Sequence, residues 1–596
     1  MSENVKHTIL RFAIIFGVIL MLFIAVFARI ISLQYIHRKQ LESMVVQRDS
    51  VQKPIRAVRG NIFDCHGKPL ASSVPQYSIH MDTRVETLHQ NDGEVFYQYL
   101  DSIAEGLSRI IGDQTPQEYR NKILEAYKAP NEKDRTIRLT PKRVTYTQLQ
   151  LINQLPLINK GKFKSGFFVN DLNIRIKPFK SLGSRTIGSI YAESGKGNSG
   201  LELQFDSYLQ GKDGMSVRQR LANEWGYIPI EDAKNGYDIH TTLDVELLEI
   251  CEKHLRLQLD TNQADWGCVI LMEVKTGEIK AICNLDRGSD GKYYEMANHA
   301  VRRVEPGSTF KTLSIMAALD DGKIKMEDTV EVKAKGWKYY GKLHRDAHAA
   351  NTTYDIKGAI ETSSNVALAR IITKHYNHNA ELFINKLKSM HLYDSVNYMI
   401  PGADQARIEI PKDKVSLSNM SYGYYVEFSP LQMLTFYNAI ANNGQMITPV
   451  IAKSIKDGDN IIEEYSTHVL TPNICNTQTL RNIRECLHEV VWGKHGTAKS
   501  ARSEKVKIAG KTGTNQLYDE KTKKYIKDRY RISFVGYFPE ENPQYTCICV
   551  IQRPIRTRAG SGTECGAVVR RIAEEVMIHT NEYVIRDGKL VLQPKN

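Results

Sequence analysis

The sequence predicts an α+β protein with one N-terminal membrane span, and three observations carry that prediction. Residues 12–28 are uncharged and almost wholly apolar. Near the middle, Pro306 and Gly307 punctuate the chain and an apolar-rich helix follows, with Phe310, Leu313, Met316 and Ala317 at helical spacing. Late in the chain, residues 532–538 and 545–551 are strand-like runs parted by turn residues. The 596 residues allow about two to four domains. A hydrophobic content of 42% with 25% charged residues excludes wholesale disorder.

Arg11 and Arg29 flank the apolar run. Counting Ile30, Ile31 and Leu33 beyond a snorkelling Arg29, residues 12–33 reach the roughly 20 residues that a bilayer requires. Val26-Phe27-Ala28 offers a cleavage site, but the run exceeds the usual signal-peptide core of about 7–15 residues, so it reads as an uncleaved anchor. Lys6 and Arg11 precede it while Arg29, Arg38 and Lys39 follow, so flanking charge does not orient it. A short tail, residues 1–11, ahead of a large body points to an exported body. No second span of that length is present. The net charge of +13 is spread along the chain, with no basic run of five or more, and reads as attraction to anionic surfaces rather than a nucleic-acid footprint. The 9 cysteines include no C-x-x-C pair and predict neither a disulfide framework nor a zinc site.

Residues 34–52 read as a polar helix or stalk. Residues 58–63 are strand-like and lead into a turn at His66-Gly67, helical patterns fill residues 94–127, and residues 200–209 form a short amphipathic helix closed by Gly211. No titratable cluster in residues 40–236 reads as a site, so this region is a spacer or docking module. A new unit opens near Asp238. Thr241-Thr242-Leu243-Asp244 leads into a helix, and residues 267–274 and 279–283 are two strands joined by a tight turn.

The chemistry starts at Ser308, placed in the first turn of its helix with Lys311 one turn further on the same face. A serine is a weak nucleophile until a base takes its proton, and a lysine serves if burial and neighbouring positive charge depress its pKa. Alone, Ser-x-x-Lys is weak: a chain of this length holds roughly two or three such pairs by chance, and a lone one reads first as a solvated helix start with an N-cap serine. Two companions change this. Ser363-Ser364-Asn365 is a Ser-x-Asn at a helix entry, and Lys511-Thr512-Gly513-Thr514 precedes the two late strands, on a neighbouring strand of one antiparallel sheet. They follow Ser308 in order, at separations of 55 and then 148 residues.

The three motifs together resemble the class B penicillin-binding proteins, peptidoglycan D,D-transpeptidases. Further marks are Arg59-Gly60-x-Ile62-x-Asp64, Gly200-Leu201-Glu202 with Phe205-Asp206, Tyr422-Gly423-Tyr424, Ser429-Pro430-Leu431-Gln432 and Asn442-Asn443-Gly444. Leu70-Ala71-Ser72-Ser73-Val74-Pro75 is more similar to the division (septal) type than to the elongation type. The resemblance implies a cytoplasmic tail (1–11), an inner-membrane anchor (12–33), an elongated mixed α/β pedestal of the dimerisation type (40–236), and a transpeptidase domain (237–585) with a five-stranded antiparallel sheet flanked by helices. A tail (586–596) ends the chain. It implies Ser308 as nucleophile, Lys311 as base, and Ser363 with Lys511 as the relay to leaving D-alanine. Asn365, Thr512, Gly513 and Thr514 would bind substrate, and the backbone N–H groups of Ser308 and Thr514 would form the oxyanion hole. Stem peptides and β-lactams are the implied ligands, and a polytopic membrane glycosyltransferase and other division proteins the implied partners. No cofactor or metal is implied. The same acylation would also serve a D,D-carboxypeptidase or a β-lactamase, which resolve it with water. A β-lactam sensor would need an H-E-x-x-H protease, and His488-Glu489 lacks the second histidine. The intact motifs weigh against a non-catalytic scaffold.

Overall fold

The structure, a computed structural model, describes residues 3–31, 52–129, 136–221, 224–347, 351–393, 398–411, 413–519, 521–522, 524–552, 563–586 and 589–594. Leu33 and, but for Gln52, the stalk expected over residues 34–52 lie outside these; Gln52 opens a strand, Gln52–Ile55. The chain divides into two compact units.

The first unit comprises residues 1–58 and 211–236. Its helix, Glu3–Ile31, carries the apolar run. The stretch Ile9–Ile31 has a mean hydropathy of 2.9 with none of it buried against protein. Its 23 residues extend about 34 Å, enough to cross a hydrocarbon core of about 30 Å. The same unit holds a three-stranded antiparallel sheet of Gln52–Ile55, Gly214–Leu221 and Glu224–Glu231. Asp213 ties its edge, accepting from Arg56 Nη1 at 2.9 Å and from Ala57 N at 2.8 Å.

The second unit opens with β1 (Ile62–Phe63) and β2 (Pro69–Asp82), then α1 (Glu94–Ile111), α2 (Pro116–Lys128), β3 (Thr136–Arg138) and β4 (Phe167–Ile176). α1 buries Phe96, Leu100, Ile103 and Leu107, one stripe at three- and four-residue spacing, and ends at left-handed Gly112. α2 starts with a Thr115–Glu118 capping box and Pro116 in its first turn. The stripes meet Ile79, Met81 and Phe167 of the strands in a small core of their own. The chain continues through β5 (Asp238–Thr241), α3 (Val245–Asn262), β6 (Trp266–Glu273), β7 (Ile279–Arg287), β8 (Tyr293–Tyr294), α4 (Lys311–Asp320), α5 (Asn365–Tyr376) and α6 (Pro430–Ala441). It closes with β9 (Ala452–Asp457), β10 (Asn460–Glu464), α7 (Thr477–Trp492), β11 (Ala509–Asp519), β12 (Lys524–Phe538), β13 (Tyr545–Gln552) and α8 (Thr563–Thr580).

The main sheet has the order β8-β7-β6-β13-β12-β11, antiparallel throughout. It has six strands where five were expected. The sixth, β8, is two residues long and too short to leave an alternating pattern in the sequence. Seven of the eight β6 residues are buried, which is why that strand reads as a continuous apolar run: both its faces are covered. α3 and α8 pack together against the sheet, and α6, buried along its whole length, packs on β12 and β13. All nine cysteines are free, and eight are buried in this apolar interior.

A second sheet runs β10-β9-β5-β1-β2-β3, with β4 also paired to β2. Strands from the expected pedestal and from the catalytic side thus share one ladder, β1 lying parallel to β5. Of the strand expected over residues 58–63, Ile62 and Phe63 alone pair. Residues 200–209 form two short helices, Gly200–Gln204 and Asp206–Leu209, rather than one. The titratable cluster that the sequence did not reveal in this region is structural. Arg59 Nε lies 2.8 Å from Glu202 Oε2, Arg59 Nη1 lies 2.6 Å from Asp206, and Arg175 Nε lies 2.6 Å from Glu202 Oε1. Glu202 is fully buried, so each of its oxygens needs a charged donor. The end of the expected tail forms a strand too, Lys589–Pro594 pairing with Asn581–Arg586.

Candidate active site

Ser308 lies on a 3-10 turn, Gly307–Phe310, and α4 begins only at Lys311. The placement of Ser308 in the α-helix itself is therefore corrected. The consequence is small, because residues three apart eclipse one another in a 3-10 turn and Lys311 stays on the face of Ser308. Two glycines make room. Gly307 has φ +58°, and a Cβ there would stand 2.7 Å from the Thr514 carbonyl oxygen. Gly423 has φ +95°, and a Cβ there would stand 2.0 Å from the Gly307 oxygen. The Gly423 carbonyl accepts from Gly307 N at 3.3 Å. Ser308 is half-buried, whereas Gly307, Thr309 and Phe310 are buried. α4 buries every residue from Lys311 to Leu319, as its apolar spacing predicts.

Among the described residues, Lys311 Nζ has Ser363 rather than Ser308 as its partner. It donates to the Ser363 carbonyl oxygen and, at 3.1 Å, to Ser363 Oγ. Ser363 holds φ +54°, left-handed and costly for a residue with a Cβ, by about 1–3 kcal/mol. The turn next to it fixes this conformation. Ser364 caps α5, accepting from Ala367 N at 3.0 Å, and donates to Asp346 at 2.7 Å. Val366 N donates to the other Asp346 oxygen at 2.9 Å, and Asn365 Nδ2 donates to the Arg345 carbonyl at 3.1 Å. Lys511 Nζ approaches the same Ser363 Oγ, at 2.9 Å, and also donates to Thr512 O and Oγ1 at 3.3 Å.

Both lysines are fully buried. Burial pulls the Lys311 amine down to about 7, while Asp346 pulls the other way. Lys511 is driven well below its ordinary value, by burial first and then by the Lys311 charge. The neighbouring positive charge invoked from sequence thus acts on Lys511, and Lys311 owes its shift to burial. The Lys311 charge thus disfavours a second ammonium at the shared Ser363 hydroxyl.

β11 is the edge strand, in register with β12 at Lys511–Val535, Gly513–Ser533 and Thr514–Ile532. A Cβ on Gly513 would stand 2.2 Å from Ser533 Oγ and 3.1 Å from the Pro306 carbonyl, so glycine lets the strand lie against the nucleophile turn. Thr512 Oγ1 hydrogen-bonds Thr497 Oγ1 at 3.0 Å. The structure therefore joins Lys311, Ser363, Lys511 and Thr512 in one hydrogen-bonded cluster and lays the Ser308 turn against Gly513 and Thr514, while Asn365, two residues after Ser363, bonds the Arg345 carbonyl. Asp346 and Thr497 were missed; they stand in segments without a motif, and only the folded chain reveals them.

A hydroxyl nucleophile, two buried lysines around a second hydroxyl and a glycine-bearing edge strand define an active-site serine acyltransferase. The chain belongs to the penicillin-binding protein transpeptidase family: the penicillin-binding protein transpeptidase domain matches residues 267–574 and the penicillin-binding protein dimerisation domain matches residues 54–241. Penicillin-binding protein PbpB of Mycolicibacterium smegmatis is 27% identical over 441 residues, which span 69% of this chain and 65% of that protein. Peptidoglycan D,D-transpeptidase FtsI of Buchnera aphidicola is 26% identical, over 95% of this chain and 94% of its own. Stage V sporulation protein D of Bacillus subtilis is 23% identical, over 95% and 85%. The fold is that of penicillin-binding protein 2X from Streptococcus thermophilus, with a TM-score of 0.74 at 21% identity over 89% of this chain and 80% of that one.

Proposed function

We propose that the protein is a peptidoglycan D,D-transpeptidase that crosslinks stem peptides through an acyl-serine intermediate at the division septum, and that β-lactams acylate the same serine. The observation that carries this is the Ser363 hydroxyl held between the buried amines of Lys311 and Lys511. Ser308 Oγ attacks the carbonyl of a D-Ala–D-Ala terminus while neutral Lys311 takes its proton. The N–H groups of Ser308 and Thr514 receive the oxyanion. Ser363 relays the proton taken by Lys311 to the leaving D-alanine nitrogen, and Lys511 helps by holding the Ser363 hydroxyl. Thr512 and Thr514 hydroxyls bind the terminal carboxylate, Gly513 lets it approach the backbone, and Asn365 holds the substrate amide. The amine of a second stem peptide then attacks the ester, displaces Ser308 and forms the crosslink.

Residues 12–33 anchor the chain in the cytoplasmic membrane with its bulk outside. Residues 40–236 act as pedestal, residues 237–585 as transpeptidase, and a polytopic glycosyltransferase supplies the strands. The FtsI relative supports the septal assignment. The test is incubation with glycan strands bearing pentapeptide stems. D-Alanine release matched by amide crosslinks is expected. Release matched by tetrapeptide alone would make the protein a carboxypeptidase.

A further inference from the structure

A half-buried carboxylate close to Ser308 in the chain, Glu305, has no role in the acyl-transfer steps above. Glu305 precedes Pro306, three residues before Ser308. Its backbone is set by the neighbouring Val304–Phe428 bridge, in which each N–H donates to the other carbonyl at 2.9 Å. Its carboxylate gathers three donors from three separate segments. Asn515 Nδ2 of β11 donates to Oε2 at 2.8 Å, the Tyr425 N–H donates to Oε1 at 3.0 Å, and the Tyr525 hydroxyl of β12 donates to Oε1 at 3.1 Å. Tyr525 is itself held edge-on between Tyr424 and Tyr518, with ring centroids 5.3 and 5.1 Å away. Asn515 is 4% exposed and follows Thr514 directly. We propose that Glu305 is a positioning residue: it fixes the Ser308 turn against β11, and so sets Ser308 Oγ against the Thr514 N–H.

Chemistry explains why a carboxylate stands there. A partly desolvated charge is costly unless hydrogen bonds replace its water, and three donors to an ion hold more rigidly than neutral pairs do. Burial raises the Glu305 carboxyl, while these donors and Arg531 oppose the rise. The nucleophile turn and the oxyanion strand are separate pieces of chain, and acyl transfer is sensitive to about 1 Å of misplacement between them. Glu305, on the Ser308 side of that gap, bonds Asn515 on the other.

This rests on the transpeptidase reading, and its test separates the two. Acylation by a fluorescent penicillin is measured at rising concentrations for the wild type, Glu305→Ala, and the pair Glu305→Gln with Asn515→Asp. The pair exchanges donor and acceptor across the 2.8 Å link and keeps an acceptor for Tyr425 and Tyr525. Glu305→Ala is expected to slow the maximal acylation rate at least about tenfold, with little change in the half-saturating concentration. The exchanged pair is expected to recover to within about threefold of wild type. Full activity in Glu305→Ala, or an exchanged pair that melts like wild type yet stays as slow as Glu305→Ala, would overturn the role. A wild type that takes no label would instead remove the transpeptidase reading.

Discussion

At the scale of single residues, the decisive fact is that two fully buried lysine amines meet at one serine hydroxyl, that of Ser363. Lys311 can serve as base only when neutral. With its amine at about 7, the acylation rate should rise with pH and level off above about that value. A rate unchanged from about pH 5 to pH 9 would contradict the assignment. The same shift has a sign for stability. An unfolded lysine keeps its proton up to 10.5, whereas folded Lys311 loses it near 7, so the unfolded state binds more protons across that window and stability rises with pH there. The residue types were legible from sequence because Ser-x-x-Lys, Ser-x-Asn and Lys-Thr-Gly place several scarce constraints in order. Asp346 was not legible, since a lone aspartate far from any motif looks like any surface carboxylate. The cause of the Lys311 shift was also beyond sequence, because burial belongs to the fold.

At the scale of elements, the site depends on close backbone approaches between the Ser308 turn, the Gly423 loop and β11. Gly423→Ala would add a Cβ 2.0 Å from the Gly307 oxygen at a backbone conformation that disfavours side chains. We expect acylation to fall by about 100-fold while the protein remains folded, read by penicillin labelling beside circular dichroism. The Arg59–Glu202–Arg175 network calls for a different test. Glu202→Ala would leave two buried guanidinium groups short of their carboxylate, at a cost of about 3–5 kcal/mol in urea unfolding. Sequence showed the Arg59 and Glu202 marks separately, 143 residues apart, but not that they meet. Nothing in local spacing carries a long-range ion pair. The strands of the main sheet were legible where they were long, as with β6 and β13, and invisible where they were two residues, as with β8.

At the scale of the whole molecule, the account joins an apolar N-terminal helix to an acylating site in the second unit. The apolar helix was legible because an unbroken apolar run of about 20 residues is itself a local signal. The sharing of a sheet between β1 to β4 and β5, β9 and β10 was not, because pairing between distant stretches of chain leaves no local trace. Deleting residues 3–31 should move the protein from the membrane fraction to the soluble fraction and leave its acylation rate unchanged, as measured by fractionation and labelling. The central claim is that Ser308 is the acylated nucleophile. Its most direct test is peptide mass mapping after treatment with a fluorescent penicillin, with Ser308→Ala alongside. The account predicts one adduct, on Ser308, absent from the variant. An adduct on another residue, or undiminished labelling of Ser308→Ala, would contradict it.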